Sequence, residues 1–530
     1  MNKIKRIMLI MPSMSWFSQR AWLIPPYSLS LLKAIVPEEF EVQTLDPNLE
    51  ELTIEETANR IGVFAPDVAG VTCMSLEYAR SAHKIVEIIK GVSPETLTVM
   101  GGVYCTVAPD LATKDDNLDY LVMGEAEIRF PDFLEKLSQG IREFPDSNGV
   151  GYRKNGKFFV NPMTCTMKNL DDIPFPAYDD KNIMSYIGVS NKFSNVLSPR
   201  YYPYAVMVTS RGCPFSCIYC STPSIHGSPF RYQSPERVLK EIDWLVDKYG
   251  VKEIVFMDDN LILNKKRWRE VLKGIIHRKV HKNYDLHWKS VNLATFVLDD
   301  EMLHLMKESG AYQLILPIES GNQEVLTKVL RKPLKLKKAQ KVIEKAKSMG
   351  FEITCDFIIG TPGETWNQIR ETFQYAEEID VDMVSFHVAT PLPRTEMFEL
   401  AQKTNSLANN FDFENFKLFG FAKGTIQTEH FTPDQLHILR AYEWDRINFK
   451  TQEKRNRFAH INGITHEELE KWRRETIRNV GLSFPDVDQN KYDESLDMDN
   501  GNGATMVEDK RATTISPENI LANRNYNPPT

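Results

Sequence analysis

Ser210–Ser221 reads SRGCPFSCIYCS and directly follows an apolar run, Ala205–Thr209, that predicts a buried strand. Its cysteines Cys213, Cys217 and Cys220 have the spacing Cys-x3-Cys-x2-Cys. Three thiolates on a tight loop can ligate three irons of a [4Fe–4S] cluster, whereas a fourth cysteine would close the last iron. The spacing therefore predicts a cluster with one iron open to a further ligand.

Two other interpretations of these cysteines remain open from the residues alone. His226 could complete a Cys₃His zinc site, and the thiols could simply be packed in a core. A small zinc module is not expected inside a repeat of strands and helices, which disfavours the first alternative. The other cysteines are scattered, and an odd total of seven argues against a disulfide framework. We predict packed thiols at Cys73, Cys105, Cys165 and Cys355.

Around the cysteine loop, strand-like and helix-like segments alternate over residues 205–395. The helix after the loop is well marked, since Ser234 can cap it, Pro235 suits its first turn and Gly250 can end it. The strand candidates are Ala205–Thr209, Glu253–Met257, Leu286–Val291, Gln313–Ile318, Glu352–Ile359 and Met383–Ala389. Six strands with intervening helices predict a partial (β/α)₆ barrel, with function at the carboxyl ends of the strands.

The first 140 residues alternate in the same way. Helical patterns such as Ala79–Lys90 and Glu127–Leu137 separate continuous apolar runs. The predicted strands are Ile4–Met11, Phe40–Leu45, Asp67–Cys73, Thr96–Gly101 and Tyr120–Met123. Apolar strands separated by helices predict an α/β fold with a doubly wound, Rossmann-like parallel sheet, which binds ligands beyond the carboxyl ends of its strands.

We therefore divide the chain into five parts. Residues 1–140 form the Rossmann-like domain, and 141–204 form a connector in which Asn155-Gly156 predicts a tight hairpin turn. Residues 205–395 form the barrel. Residues 396–483 form a helical C-terminal domain, expected from its position to cover the barrel mouth. The segment 484–530 is polar and acidic, which predicts a disordered tail.

The charge distribution limits the classes of partner. The net charge is −8, and residues 485–510 hold eight acidic and two basic residues, so the rest of the chain is close to neutral. No broad basic field for nucleic acid is expected. The apolar run Ile7–Met11 is too short for a signal peptide, and no window approaches a membrane span, so we expect a cytoplasmic protein.

The cysteine loop, with its aromatic Tyr219, resembles the radical S-adenosylmethionine superfamily. Further matches follow at strand ends: FMDDN at Phe256–Asn260, IESG at Ile318–Gly321 and FIIGTPGET at Phe357–Thr365. The resemblance implies that the three cysteines hold a [4Fe–4S] cluster whose open iron binds S-adenosylmethionine. The S-adenosylmethionine contacts that it implies are Tyr219, Met257, Asp258, Asp259, Glu319 and Gly360. From the residues alone, the aspartates could instead cap a turn, and Gly360 could be a plain turn glycine.

The first domain resembles a cobalamin-binding domain, and the whole layout resembles the cobalamin-dependent radical subfamily. The matching segments are PPYSLSLL, VTCMS, MGGVYCTVAPD and MGEAE. The implied cobalamin contacts are Pro25, Pro26, Thr72, Ser75, Gly101, Gly102, Val103, Gly124 and Glu125. The Asp-x-His-x-x-Gly loop by which many cobalamin domains ligate cobalt does not occur, and we interpret His83 as a packing or surface histidine. An ordinary flavodoxin-like sheet is the alternative.

The resemblance implies an enzyme that cleaves S-adenosylmethionine reductively and uses cobalamin to methylate an unactivated carbon or phosphorus atom. Expected partners are a flavodoxin- or ferredoxin-like electron donor and a small-molecule or lipid substrate. One alternative is a cobalamin-dependent cyclisation, rearrangement or oxygenation without methyl transfer. A non-catalytic iron–sulfur or cobalamin sensor is a second alternative, disfavoured because a sensor has no need to hold S-adenosylmethionine.

Overall fold

The computed structural model describes residues 4–17, 25–164, 166–178, 185, 199–409, 411, 413 and 424–479. Cys165 and the predicted tail 484–530 lie outside these residues, as does part of the connector. The division of the chain into five parts remains a prediction.

A seven-stranded sheet organises the first part of the chain. Its strands are β1 (Arg6–Ile10), β2 (Glu41–Leu45), β3 (Val68–Thr72), β4 (Leu97–Gly101), β5 (Tyr120–Val122), β6 (Val150–Lys154) and β7 (Lys157–Val160). The helices are α1 (Tyr27–Ile35), α2 (Ile54–Phe64), α3 (Ala79–Val92), α4 (Val103–Val107), α5 (Pro109–Ala112) and α6 (Ala126–Ser138). The strand order is β2-β1-β3-β4-β5-β6-β7, and β1 to β5 are parallel.

Both faces of the central strands of this sheet are buried, as their continuous apolar runs predicted. Met8 and Ile10 of β1 belong to one hydrophobic cluster, which includes residues of α2 and α3. Ile7 and Leu9 belong to a second cluster, which includes residues of α1 and α6. Because successive strand residues point to opposite faces, helices cover the sheet on both sides. The predicted doubly wound sheet is confirmed.

The hairpin predicted from Asn155-Gly156 is present. Both residues have positive φ, 49° and 75°, as a two-residue turn between antiparallel strands requires. β6 also pairs antiparallel with β5, so the hairpin extends the first sheet by two strands. The start of the predicted connector is therefore structurally continuous with that sheet.

The second part of the chain is an open barrel of six parallel strands. The barrel strands are β8 (Tyr204–Met207), β11 (Glu253–Phe256), β12 (His287–Ser290), β13 (Gln313–Glu319), β14 (Glu352–Ile359) and β15 (Met383–Val388). Two short strands outside the barrel are β9 (Ser210–Arg211) and β10 (Arg231–Tyr232). Around the barrel the order is β8-β11-β12 and then β13-β14-β15. A parallel bridge between Trp288 and Ala311 joins the two halves. The predicted partial barrel is confirmed.

The short strands β9 and β10 form an antiparallel pair beside the cysteine loop. The helices around the barrel are α7 (Thr222–His226), α8 (Pro235–Tyr249), α9 (Lys265–His281), α10 (Asp300–Ser309), α11 (Leu336–Ser348) and α12 (Trp366–Glu378). α8 begins and ends as predicted: the Ser234 side chain accepts a hydrogen bond from the Arg237 N–H, and Gly250 ends the helix with left-handed backbone.

The C-terminal helices are α13 (Glu396–Lys403), α14 (Pro433–Asn448), α15 (Gln452–Asn462) and α16 (His466–Asn479). α14 lies along β15, where Asn448 accepts a hydrogen bond from the Val384 N–H (2.9 Å) and donates one to the Val384 carbonyl (3.0 Å). The edge of a sheet leaves backbone N–H and carbonyl groups without partners. The Asn448 side chain satisfies both of these groups of Val384 at the edge of the barrel. None of the helices in the described residues is long and apolar enough to cross a lipid bilayer.

A buried group of charges joins the sheet to the barrel. Arg231 of β10 donates two parallel hydrogen bonds, 2.6 and 2.9 Å long, to the carboxylate of Glu125. His226 Nδ1 lies 3.3 Å from the same carboxylate. Arg211 of β9 pairs with Glu127 and lies 3.7 Å from Glu125. We call these five residues the interdomain ion cluster.

A second link lies beside α7, where the Ser224 hydroxyl donates a hydrogen bond of 3.0 Å to the Arg394 carbonyl. Arg394, in the loop after β15, donates a hydrogen bond of 2.9 Å to the carbonyl of Thr106 in α4. α4 follows β4 directly, and Glu125 comes soon after β5. Both links therefore join loops at the carboxyl ends of the barrel strands to loops at the carboxyl ends of the sheet strands. These are the edges at which each fold binds ligands.

Removing one arginine of the interdomain ion cluster is expected to destabilise the protein strongly. In Arg231→Met, the Glu125 charge would stay buried without its main partner, which costs about 3–5 kcal/mol. The matched control is Arg269→Met, which breaks ion pairs with Asp299 and Glu301 at a more exposed site and should cost less than about 1 kcal/mol. Urea unfolding followed by tryptophan fluorescence measures both variants. Equal losses of unfolding free energy in the two variants would contradict a strong contribution of the buried Glu125–Arg231 pair to stability.

Candidate functional site

The cysteine loop follows Arg211 of the interdomain ion cluster and ends just before α7. Cys213, Cys217 and Cys220 are half-buried, and none of them forms a disulfide. Gly212, just before them, has φ +82°, and a Cβ there would come within 2.4 Å of the Pro229 carbonyl oxygen. A side chain at this position would therefore displace the backbone on which the cysteines sit.

Backbone hydrogen bonds fix the loop from both sides. The Ile218 N–H donates to the Leu330 carbonyl (3.2 Å), and the Ile218 carbonyl accepts from the Met397 N–H (2.8 Å). Cys217 Sγ lies 3.9 Å from the carbonyl oxygen of Arg331. The loop is thus anchored while its thiols keep access to a ligand.

The donor set fits a cluster with an open iron. In the described chain the remaining cysteines, Cys73, Cys105 and Cys355, are fully buried in hydrophobic cores. Burial raises the pKa of Cys73 to about 12, as expected of a packed thiol. The loop therefore supplies three cysteines for a cluster, and His226, the fourth ligand of the alternative zinc site, interacts with Glu125. Within the described residues no three His, Cys, Asp or Glu side chains are grouped for a single metal ion.

Asp258 joins two neighbouring strand ends. Its Oδ1 accepts hydrogen bonds from the Thr209 N–H (3.1 Å), the Thr209 hydroxyl (2.8 Å) and the Ser210 hydroxyl (2.5 Å). The side chain is buried, which raises its pKa, and Oδ2 has no hydrogen-bond partner. An orphaned buried oxygen is costly, so it marks a position where a polar ligand group fits. Met257 and Asp259, on either side of Asp258, are half-buried at the same strand end.

Asn260 connects this strand end with the cysteines. Its Nδ2 lies 4.0 Å from Cys213 Sγ, and its Oδ1 is buried without a partner. The FMDDN segment therefore lies directly beside the first cysteine.

Glu319 lies at a distorted end of β13. Its φ is +72°, and the pairing of β13 with β14 shifts between Pro317 and Glu319. Oε1 accepts hydrogen bonds from the Tyr219 hydroxyl (2.8 Å) and the Lys332 ammonium (3.0 Å). A non-glycine residue keeps such a backbone only where its surroundings enforce it. Two predicted site residues, Tyr219 and Glu319, are thus in direct contact.

Gly360 begins the turn after β14 with φ +78°, and a Cβ there would lie 2.2 Å from the Leu436 side chain of α14. The carboxylate of Glu364 closes the turn by accepting hydrogen bonds from the N–H groups of Gly360 (2.8 Å) and Thr361 (3.0 Å). Burial raises the pKa of Glu364 to about 7. A residue with a Cβ at position 360 would have strained backbone and would displace the end of the Leu436 side chain.

Sequence reasoning missed polar residues on β14 and β15. Asp356 of β14 pairs in register with Ser385 of β15, and Ser385 donates a hydrogen bond to its carboxylate. Burial and the nearby Glu319 carboxylate raise the pKa of Asp356 to about 7. His387 lies two residues after Ser385, on the same face of its strand. Alternating polar residues in apolar strands were the signal that could have identified them.

The predicted cobalamin contacts gather at the carboxyl edge of the first sheet. Thr72 ends β3, Gly101 ends β4, and Val103 begins α4. Gly102 has φ +97°, and a Cβ there would lie 2.6 Å from the Cys73 carbonyl oxygen. A side chain at this position would therefore collide with the backbone that follows β3, so the close approach of the two segments requires glycine.

Further contacts lie in the neighbouring loops. The Ser75 hydroxyl is buried without a hydrogen-bond partner, as expected of a group that a ligand would satisfy. Gly124, with φ +65°, donates its N–H to the Thr106 hydroxyl (2.8 Å), and Pro25 and Pro26 are buried just before α1.

Two residues of this domain are committed to protein contacts. The Glu125 side chain is almost completely buried by the barrel, so a contact between Glu125 and a corrin would use its backbone. Burial alone would raise its pKa, but hydrogen bonds from His226 and Arg231 lower it well below its usual value. His83 lies on α3 with Nδ1 2.8 Å from Asp115 and Nε2 3.0 Å from the Tyr104 hydroxyl, as a packed histidine does.

Comparison with known proteins agrees with this arrangement. Residues 207–376 match the model of the radical SAM superfamily, and residues 20–134 match the B12 binding domain. An uncharacterized methyltransferase of Pyrococcus horikoshii is 32% identical over 82% of this chain and 91% of its own length. Cytidylyl-2-hydroxyethylphosphonate methyltransferase of Streptomyces wedmorensis is 29% identical over 70% of this chain and 74% of its own.

A solved structure shares the fold. The cobalamin-dependent S-adenosylmethionine radical enzyme OxsB, with aqua-cobalamin and S-adenosylmethionine bound, superimposes with a TM-score of 0.67. The match covers 94% of this chain and 75% of that chain at 17% identity. The [4Fe–4S] cluster, S-adenosylmethionine and cobalamin are the cofactors that these two domains imply. The chain belongs to the cobalamin-dependent radical S-adenosylmethionine enzymes.

Proposed function

We propose that this enzyme transfers a methyl group to an unactivated carbon or phosphorus atom of a small molecule or lipid. The observation that carries the proposal is the interdomain ion cluster, because it holds the ligand-binding edges of the two folds against each other. Arg211 is two residues before Cys213, and Glu125 follows the Gly124 turn. A substrate between these edges would be within reach of both cofactor sites.

The residues that would hold each cofactor follow from their positions. Cys213, Cys217 and Cys220 would hold the cluster. S-Adenosylmethionine would lie among Tyr219, Met257, Asp258, Asp259, Glu319 and Gly360. Cobalamin would lie against Pro25, Pro26, Thr72, Ser75, Gly101, Gly102, Val103, Gly124 and the backbone of Glu125. When bound, the cluster and S-adenosylmethionine would supply reductive cleavage of the sulfonium and a carbon radical, and cobalamin would supply a methyl carrier. The protein needs to position these three groups and to exclude water.

The chain's own residues account for this positioning. Lys332 and Tyr219 orient the Glu319 carboxylate at the strand end. Asp258 fixes the distance between β8 and β11 beside the first cysteine. Since these groups are buried and hydrogen-bonded, they lose little entropy when a ligand binds.

We further propose that a flavodoxin- or ferredoxin-like protein supplies the electron and that the enzyme works in the cytoplasm. Reduced thiols and an open iron suit a reducing compartment. The family's need for a reductant supports the first part.

Replacing any one of Cys213, Cys217 and Cys220 by Ala is expected to reduce iron from about four atoms per chain and to abolish S-adenosylmethionine cleavage. Iron and sulfide analysis after anaerobic reconstitution, with electron paramagnetic resonance of the reduced protein, measures this. The matched control is Cys355→Ala, in the barrel core, which should keep the cluster. Stoichiometric zinc without iron would overturn the assignment.

Cobalamin is expected to bind with no histidine of the protein on cobalt. We expect the tail base of cobalamin to be displaced from cobalt, and His83 is held by Asp115 and Tyr104, so the Co(II) electron paramagnetic resonance spectrum should lack nitrogen splitting. The control His83→Ala should give the same cobalt spectrum. A nitrogen splitting that disappears in this variant would contradict the prediction, and no binding at micromolar cobalamin would remove the domain assignment.

With its substrate, the enzyme is expected to form 5′-deoxyadenosine and S-adenosylhomocysteine in equal amounts. One molecule of S-adenosylmethionine is cleaved reductively, and a second supplies the methyl group. Both by-products are measured by mass spectrometry together with the methylated product. Product with 5′-deoxyadenosine but without S-adenosylhomocysteine would instead support cyclisation, rearrangement or oxygenation, and neither by-product would support a sensor.

A further inference from the structure

One segment beside the cysteine loop is strongly basic, although the whole chain is acidic. Residues 328–347 contain nine lysine or arginine residues and one acidic residue, in a chain of net charge −8. This segment covers the end of a π-helical turn, the loop after it and most of α11. A local field of this sign attracts acidic surfaces.

Several of these charges are not used by the fold. Lys335, Lys337 and Lys341 are exposed, and none of them forms an ion pair with any residue described. Others have local partners: Lys328 pairs with Glu324, and Arg331 pairs with Glu396. The three free lysines therefore remain available to a partner.

The position of these lysines is unfavourable for the helix itself. α11 has no acidic residue in its first turn, where the helix dipole favours negative charge, and Lys337 lies there. Lys337 and Lys341 are four residues apart, so two like charges are neighbours on one face. These charges do not stabilise the helix, so helix formation does not explain their position.

The basic segment contacts the cysteine loop directly. Leu330 accepts the hydrogen bond from Ile218, and the Arg331 carbonyl lies 3.9 Å from Cys217 Sγ. The chain from Arg331 to Lys335 spans at most about 14 Å even when fully extended. The free lysines therefore begin within a short distance of the cluster ligands.

An aromatic pair forms a second connection between the loop and α11. Phe215, between the first two cysteines, packs edge-to-face on Phe296 with ring centroids 5.0 Å apart. Lys338 of α11 donates a hydrogen bond to the Phe296 carbonyl. Pro214 and Ser216, on either side of Phe215, are exposed. The outer side of the cysteine loop and the basic helix thus form one continuous surface.

We propose that this surface docks the acidic protein that reduces the cluster. We call it the basic surface and define it by Arg331, Lys335, Lys337, Lys338, Lys341 and the loop tip 214–216. The loop tip contributes the apolar Pro214 and Phe215, and the lysines contribute the positive charge that steers an acidic partner towards it. In the docked complex one electron passes from the donor to the cluster, so the donor is oxidised and the cluster reduced by one electron with no bond formed or broken. The proposal rests on the proposed cluster at the three cysteines.

A membrane surface is a less suitable occupant. Helices that bind membranes present an apolar face to the lipid. The apolar residues of α11, Ala339, Val342, Ile343 and Ala346, are instead buried in the barrel core. Among the described residues, the large hydrophobic side chains that are exposed lie elsewhere.

The test variant is Lys337→Glu/Lys341→Glu, which reverses two exposed charges without touching the cysteines. The matched control is Lys266→Glu/Lys273→Glu, which makes the same charge change at exposed positions of α9. The probe is an acidic bacterial flavodoxin in its hydroquinone form. Stopped-flow absorbance measures cluster reduction at low and high salt, without substrate or cobalamin, and dithionite reduction verifies the cluster of each protein.

The test variant is expected to be reduced by flavodoxin at least about ten-fold more slowly at low ionic strength, the lower range of electrostatic steering. The difference should shrink at about 1 M salt, where the Debye length is about 3 Å. The control should react like the unmodified protein, and dithionite should reduce all three equally. Isothermal titration with oxidised flavodoxin should show correspondingly weaker binding to the test variant.

Equal flavodoxin rates for the test variant and the unmodified protein would overturn the docking proposal. So would a loss of binding to phosphatidylglycerol vesicles in the test variant with flavodoxin reduction unchanged, since that result would assign the surface to a membrane. An unmodified protein that dithionite cannot reduce would instead contradict the cluster assignment. The failures of the two proposals are therefore distinguishable.

Discussion

The buried contact between Glu125 and Arg231 determines how the two folds face each other. Burying a carboxylate and a guanidinium is costly unless each finds the other in good geometry, and here two parallel hydrogen bonds provide that geometry. A displacement of the sheet relative to the barrel would leave charges buried without partners. The contact therefore favours one relative placement, which hydrophobic packing alone would specify less sharply.

The remaining site geometry depends on this placement. Arg211 belongs to the same cluster and lies directly before Gly212, whose positive φ starts the cysteine loop. Arg211 and Gly212 thus couple the position of the cysteines to the carboxyl edge of the first sheet. Beside α7, Arg394 donates a hydrogen bond to the carbonyl of Thr106, whose hydroxyl accepts the hydrogen bond from the Gly124 N–H.

The sequence predicted what local patterns encode. Apolar runs identified the strands, Asn155-Gly156 identified the hairpin turn, and Ser234 and Gly250 marked the ends of α8, because strand burial, turn conformation and capping depend on nearby residues. The partners of Glu125 lie about a hundred residues away in sequence, so no local pattern indicates them. For the same reason the pairing of β6 with β5 and the contact of Lys332 with Glu319 appeared only in the structure. The cofactor contacts named from the resemblance stay predictions, although their residues gather at the two carboxyl edges.

The cysteine loop has two sides with different surroundings. One side suits the exclusion of water from the reaction, and the other suits the approach of an electron donor. Towards the first sheet, Arg211 and Glu125 of the interdomain ion cluster are buried, so this side would shield a reactive intermediate from water. Towards solvent, Pro214 and Ser216 are exposed beside lysines that have no partner within the described chain. Electron transfer requires close approach of a protein but no access to the substrate. A loop that spans only eight residues from Cys213 to Cys220 would therefore receive an electron on one side and keep radical chemistry on the other.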